Sequence, residues 1–345
     1  MFKLSKKKGS ASSVAIDIGT QYVKIVELVK NNQIQKVKNY KILNLVSDGK
    51  RFLSKEISRL IKKSFSEMNI DAKVVKTTVS GKSLVVRHVD LPKMSEKELK
   101  SSLRYQADLH IPFSLDEAFF DAYIINNNTG LPENRMRVII VAIKRKDADE
   151  TIKTIKRAGC SLDLVTVDSI ALFNAFENGI TDTEKNDTIA LVDIGASKTN
   201  INVVNNGVSL LCREIKYGGI KFTELLMESL EISFDEAEEK KIAGDDTIIP
   251  YISETFKPLI RDIRASFDYF EGLMGGSIQK VYLSGGGSLT RGIVDLFKEK
   301  LGIHVLLWNP LRKIDDSELM DKDKEFLISH SSFLSVCMGI AETSS

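Results

Sequence analysis

The chain of 345 residues is long enough for two large lobes or three to four smaller units, at about 150 residues per domain. Its 49 Lys and Arg against 47 Asp and Glu give a formal charge of +2, which excludes a strongly basic nucleic-acid binder and an acidic solvating chain. With 43% hydrophobic and 28% charged residues and 6 prolines, the composition is that of a soluble globular protein and not of a disordered tether. The 3 cysteines, Cys160, Cys212 and Cys337, lie far apart, and the 4 histidines, His88, His110, His304 and His330, are equally scattered. They predict buried thiols of a reducing compartment, with no disulfide frame, zinc site or nucleophile–histidine triad. Apolar runs such as 138–143 fall far short of the ~20 residues of a spanning helix. Asp17 interrupts the first apolar stretch after the basic start, so no secretory leader is expected and the cytoplasm is the predicted compartment. The Lys6–Lys8 cluster reads as a solvated terminus, with contact to anionic lipid as the alternative.

In chain order, the first predicted element is a β-hairpin at 14–26, reading VAIDIGTQYVKIV, with Asp-Ile-Gly at its turn. Residues 74–163 predict a compact α+β unit. Its strands are Val74–Val79, Leu84–Leu91, Ala118–Ile125 and Met136–Ile143, and its helices Ser95–His110 and Asp147–Ala158. Ser95 with Glu98 makes a capping box, and Leu99, Leu103 and Ala107 give that helix one apolar stripe. A strand-to-helix segment, VTVDSIALF, follows at 165–173, and 190–204, ALVDIGASKTNINVV, then repeats the opening hairpin. An apolar strand at 281–283 runs into Ser284-Gly285-Gly286-Gly287-Ser288. The helix after it carries Ile293, Leu296, Phe297 and Leu301 on one face. A last apolar segment, SFLSVCMGIA, occupies 332–341.

The duplicated turn carries the chemistry. Glycine lets backbone N–H groups approach a ligand, and a turn of convergent N–H groups attracts phosphate. An aspartate beside it repels phosphate unless a cation lies between. Asp17 and Asp193 at two facing turns therefore fit a Mg²⁺-bound polyphosphate held largely through water. A single such turn reads as a hairpin cap; two matched copies with a glycine-rich third element favour the ligand. That third element has neither the P-loop nor the dinucleotide-binding fingerprint.

The ordered set Asp-Ile-Gly-Thr-x-x-x-Lys (17–24), Asp-Ile-Gly-Ala-Ser-Lys-Thr (193–199) and Ser-Gly-Gly-Gly (284–287) resembles the phosphate-one, phosphate-two and adenosine motifs of the actin-like (heat-shock chaperone/hexokinase) ATPases. Segments 165–173 and 332–341 resemble that fold's two connecting segments, where Ala171, Ala175 and Gly339 would let two helices cross closely between the lobes. The resemblance implies an α/β, two-lobed fold with a mixed five-stranded sheet in each lobe and an α+β insert in the first. Its divisions would be 12–73 with 164–188 and 326–345 (first-lobe core), 74–163 (insert), 189–230 with 272–325 (second-lobe core) and 231–271 (a nucleotide-capping helical subdomain).

It also implies ATP and Mg²⁺ as cofactors. Asp17 and Asp193 would hold the ion, and Gly19, Thr20, Gln21, Tyr22, Gly195, Ala196 and Ser197 would cradle phosphates. Lys24 either pairs with phosphate or is a solvated strand lysine. Gly218 and Gly219 would lie by the ribose, with Glu238 and Lys241, an i,i+3 pair, embracing ribose and adenine unless they are an ordinary charged helix face. Gly285, Gly286, Gly287 and Ser288 would lie against adenine and sugar. Asp168 either orients an attacking water, giving slow hydrolysis, or caps the helix from Ser169.

Within this superfamily the insert phrases VDLP (89–92) and QADLHIPF (106–113) resemble the type IV pilus assembly family PilM. The related FtsA family of cell-division proteins is the alternative, and its members end in an amphipathic membrane helix that the short polar stretch after Gly339 does not resemble. A small-metabolite kinase is the reading from another class. Membership of PilM implies a cytoplasmic scaffold at the inner face of the membrane. Its partner would be the N-terminal peptide of a PilN-like membrane protein, with pilus secretion ATPases and self-association as further contacts and no nucleic acid.

Overall fold

The repeated hairpin forms the centre of each of two sheets in the computed structural model, which describes residues 2–3, 12–31, 34–47, 49–125, 131–315 and 321–343. The Lys6–Lys8 cluster lies outside the described residues. In the first lobe, β1 (Phe2–Lys3), β2 (Ser12–Ile18), β3 (Tyr22–Asn31) and β4 (Ile34–Asn44) are followed by a short ribbon of β5 (Val46–Ser47) and β6 (Lys50–Arg51) and by α1 (Ser54–Glu67). Then come β7 (Val74–Thr78), β8 (Val85–Pro92), α2 (Glu96–Asp108), β9 (Ala118–Ile125), β10 (Arg135–Lys144), α3 (Arg145–Arg157), β11 (Ser161–Thr166) and α4 (Asp168–Gly179). The first sheet has the order β1-β11-β7-β2-β3-β4, so β1 adds a sixth strand to the expected five.

Strand alternation decides which face each residue buries. Val14 and Ile16 face α1 and α3, joining Ile57, Ile61, Phe65 and Ile155 in one core. Ala15 points the other way, to Ala171 and Phe176 of α4. With helices on both faces, Val14, Ala15, Ile16 and even Asp17 are all buried, and the simple polar–apolar alternation of a one-sided sheet disappears.

The insert is smaller than 74–163. β7 pairs parallel with both β2 and β11, so it is an internal strand of the first-lobe sheet, and α3 packs on α1 under that sheet. The separate layer is the three-stranded β8-β10-β9 sheet, covered by α2 through Leu99, Leu103 and Ala107. The capping box is present: Ser95 Oγ accepts from the Glu98 N–H, and the Glu98 side chain accepts from the Ser95 N–H.

The second lobe runs β12 (Thr188–Ile194), β13 (Thr199–Asn205), β14 (Val208–Ile215), α5 (Ile220–Leu230), α6 (Phe234–Ala243), α7 (Ile249–Met274), β15 (Lys280–Ser284), α8 (Ile293–Leu301) and β16 (His304–Leu307). Its sheet has the expected five strands, ordered β14-β13-β12-β15-β16. Residues 231–271 are helical, but Ala237, Ile252, Phe256 and Leu259 share one continuous core with Ala190, Val192 and Ile201 of the sheet. The chain returns through α9 (Asp321–Ser329) and α10 (Ser335–Glu342). Helices α4 and α10 lie between the two sheets: their core includes Ala15 and Val26 of the first lobe and Ile189, Leu191 and Tyr282 of the second.

The insert also leans on the second lobe. His88 Nε2 donates to the Ser209 carbonyl at 3.0 Å, Ser209 Oγ donates to Asn202 Oδ1 at 2.8 Å, and Asn202 Nδ2 donates to the Ser169 carbonyl at 3.2 Å. Burial, aided by the Arg137 charge, lowers the His88 pKa to about 4 although the Ser209 bond opposes it. The unfolded chain then takes up this proton first as pH falls below about 6.5, so stability is lost between roughly pH 6.5 and 4, by at most about 3 kcal/mol. Unfolding midpoints measured across that window are expected to fall less steeply for His88→Gln than for the parent; parallel curves would contradict this.

Candidate functional site

The two turns are built alike. The Gly19 N–H donates to the Tyr22 carbonyl at 2.8 Å, and the Gly195 N–H donates to the Lys198 carbonyl at 2.9 Å. Across the gap between lobes Thr20 Oγ1 and Ser197 Oγ share a hydrogen at 2.8 Å. The glycine loop lies on the second turn. A Cβ on Gly285, which has φ +81°, would meet the Ile194 carbonyl at 2.5 Å, and one on Gly287 would meet Ile194 Cγ2 at 2.3 Å. No larger residue allows that approach.

Together these elements enclose a cavity of about 520 Å³, within the range of small-molecule sites. Every predicted site residue lines it except Gly218 and Ser288. Gly218 instead packs against the second turn, where a Cβ would stand 2.5 Å from the Gly195 carbonyl. Ser288 is buried, donating to the Gly285 carbonyl at 2.7 Å and facing Ser332 Oγ at 3.2 Å, so it braces the loop from behind.

Asp17 and Lys24 sit directly opposite in the β2–β3 register, which is why their spacing matters. Lys24 Nζ lies 2.9 Å from Asp17 Oδ2 and 4.5 Å above the Phe333 ring. Burial opposes its charge, but Asp17 outweighs this and raises the Lys24 pKa, so it is a buried cation and not a solvated strand lysine. Asp193 is buried with Ser284 Oγ donating to it at 3.0 Å, and burial raises its carboxyl pKa. A group in that state gains from a cation brought by a ligand. Among the described residues no three His, Cys, Asp or Glu side chains form a ready-made metal cluster. A divalent ion here would thus depend on one or two carboxylates, water and ligand oxygens, as Mg²⁺ sites commonly do.

At the other end, Lys241 Nζ bonds Glu238 Oε1 at 2.7 Å, Thr223 Oγ1 at 2.7 Å and the Gly219 carbonyl at 3.2 Å. Glu238 Oε2 accepts from Gln21 Nε2 of the first lobe at 2.8 Å. The pair therefore faces the cleft and ties the lobes, unlike an ordinary charged helix surface.

Asp168 is not a cap. Helix α4 starts at Asp168 itself, with Val167 as its N-cap and no side-chain cap bond. Its carboxylate lies 2.9 Å from Lys198 Nζ. Burial pushes that carboxyl up, but Lys198 and Thr78 outweigh it and hold the pKa below the ordinary value. Lys198, Asn200, Thr290 and Phe333 line the cavity without having been assigned from the motifs. Lys198 lies inside the quoted second motif, while Phe333 looks like one more apolar residue of the last segment. Phe333 meets the Tyr22 ring edge-on at 5.2 Å and would touch a Cβ on Gly286 at 3.1 Å.

The family model of the type IV pilus assembly protein PilM matches residues 15–344. The chain belongs to that family. Among solved structures, a PilM–PilN type IV pilus biogenesis complex is similar over 95% of this chain and 97% of that one, with TM-score 0.83 and 24% identity. The ethanolamine utilization protein EutJ of Carboxydothermus hydrogenoformans follows at TM-score 0.56 and 17% identity over 96% and 90%. MreB5 of Spiroplasma citri, solved bound to ADP, is similar at TM-score 0.50 and 13% identity over 96% and 95%. These likenesses show the actin-like fold. A curated relative, the cell division protein FtsA of Neisseria meningitidis serogroup B, is 27% identical over 226 residues, 54% of each chain. EutJ of Escherichia coli K12 is 27% identical over 132 residues, 36% of this chain and 45% of that one. This PilM-family chain thus spans about half the length of the curated relatives it matches.

Proposed function

We propose that the chain is an ATP-binding scaffold of a type IV pilus assembly platform, or of related secretion or competence machinery, and that it docks the N-terminal segment of a PilN-like membrane protein. The convergence of both Asp-Ile-Gly turns and the glycine loop on one cavity carries the nucleotide part. Lys24 and the turn N–H groups would hold phosphates, Asp17 and Asp193 the waters of Mg²⁺, and Glu238 with Lys241 the nucleoside end. The bound ion would neutralise the phosphates against the two acids. Asp168, engaged by Lys198 and Thr78, is a weak base, which accords with slow turnover. A metabolite kinase finds no added support in these contacts.

The partner part rests on the family and on the insert's surface. Among the described residues β9 is an edge strand of its sheet, and Tyr105, Leu109 and Tyr123 are strongly exposed on the insert. A sheet edge and apolar side chains are what an extended peptide uses. No helix among the described residues is long and apolar enough to cross a membrane, so this contact would bring the scaffold to the inner membrane. Titration of a fluorescent peptide from the first ~20 residues of the neighbouring PilN-like protein is expected to show affinity weakened at least tenfold by Tyr105→Ser/Leu109→Ser/Tyr123→Ser, the loss of about 1.4 kcal/mol or more. Unchanged binding by the triple variant, or none by the parent, would overturn the docking reading.

A further inference from the structure

Three lysines line the cavity, and two have assignments. Lys24 belongs to the first turn and Asp17, and Lys241 to Glu238 and Gly219. The third, Lys198, closes the second turn on the side away from Gly219. The Gly195 and Ala196 carbonyls accept from Gly219 and Ile220 at the start of α5, whereas the Lys198 side chain turns towards α4. There its ammonium stands 2.9 Å from Asp168 Oδ2 and 2.8 Å from Glu214 Oε2. One cation thus serves two carboxylates, one from each lobe, at the floor of the cleft.

We propose that Lys198 reads the terminal phosphate and makes the chain prefer ATP over ADP. The inference rests on the nucleotide reading of the cleft. Lys198 and Lys241 both line the cavity, one on the second Asp-Ile-Gly turn and the other beside Gly219, so a nucleotide whose nucleoside end meets Lys241 would direct its terminal phosphate to Lys198. A diphosphate leaves the Asp168–Lys198–Glu214 bridge intact. A triphosphate offers the ammonium a more highly charged partner and draws it from Asp168. Asp168 begins α4, half of the helix pair between the lobes, so the exchange also changes how the lobes are tied. Lys198 is therefore a specificity-determining residue, and it frees Asp168 only when a terminal phosphate is present.

The test is calorimetry with Mg·ATP and Mg·ADP on the full chain. A charge-assisted contact contributes about 1.5–3 kcal/mol, so Lys198→Met is expected to weaken ATP at least tenfold while changing ADP less than about threefold. Glu214→Gln is expected to tighten ATP several-fold, because Lys198 then gives up one ion pair fewer. Lys198→Arg should keep the preference. If Lys198→Met unfolds because two acids are left facing each other, Lys198→Met/Glu214→Gln relieves them and should show the same ATP-selective loss. Equal losses for both nucleotides, or no loss, in a variant with the parent's melting temperature would overturn the inference. A parent protein that binds neither nucleotide would overturn the nucleotide reading and this inference with it.

Discussion

Gly339→Ala is expected to destabilise the protein by on the order of 4 kcal/mol, beyond the about 1–3 kcal/mol of ordinary overpacking. A methyl at Gly339 would stand 1.8 Å from the Ala171 carbonyl oxygen and 3.0 Å from the Ala175 backbone nitrogen. Those obstacles are backbone, so no side-chain rotation relieves them; α4 and α10 must move apart. The two helices share their core with both sheets, so separating them opens contacts to Leu191 and Tyr282 on one side and to Ala15 and Val26 on the other. Gly272→Ala is the matched control. Gly272 lies in α7 with nothing within 4 Å of its added methyl, and alanine there should raise stability by up to about 1 kcal/mol. Urea unfolding of the two variants distinguishes them, and a Gly339→Ala protein of parental stability would contradict the close crossing.

Lys24→Met is the second large effect, expected at about 3–5 kcal/mol near neutral pH, because it strips the cation from a buried carboxylate. Asp17 loses its ion pair, and Asp193, already raised by burial, loses the nearby positive charge that partly offsets it. The Asp193 folded-state pKa then lies further above that of the unfolded chain. The folded state binds the extra proton between those two values, so the deficit should shrink as pH falls towards the ordinary carboxylate range near 4. Lys24→Met/Asp17→Asn should regain most of the stability, since it removes the orphaned charge, while nucleotide affinity stays at least tenfold weakened. A double variant that is stable and binds like the parent would show that Lys24 does not hold phosphate and Asp17 does not hold the ion.

What could be read from residues alone follows the range of the forces involved. The twin hairpins and the α2 capping box are encoded within a few neighbouring residues, and the structure contains both; the close crossing of α4 and α10, which joins distant segments, is legible only through the family resemblance. The insert's limits are not local. Val74–Thr78 reads as a strand in any context, and only its parallel pairing with β2 and β11, distant in sequence, places it in the first-lobe sheet. The cross-cleft contacts escaped for the same reason. Gln21 with Glu238, Thr20 with Ser197 and Lys198 with Asp168 join segments that no periodicity connects. Gly218 and Ser288 stand behind the cavity lining, the first against the Gly195 carbonyl and the second bonded to the Gly285 carbonyl, a placement that motif position alone does not reveal.

Isothermal titration of Mg·ATP into the full chain, run in parallel with Lys24→Met, bears most directly on whether the cleft between the two Asp-Ile-Gly turns is a nucleotide site. One site per chain with a micromolar dissociation constant, about −8 kcal/mol, is predicted for the parent, with binding weakened at least tenfold in the variant. No heat and no rise in melting temperature at millimolar Mg·ATP, or equal binding by parent and variant, would contradict it.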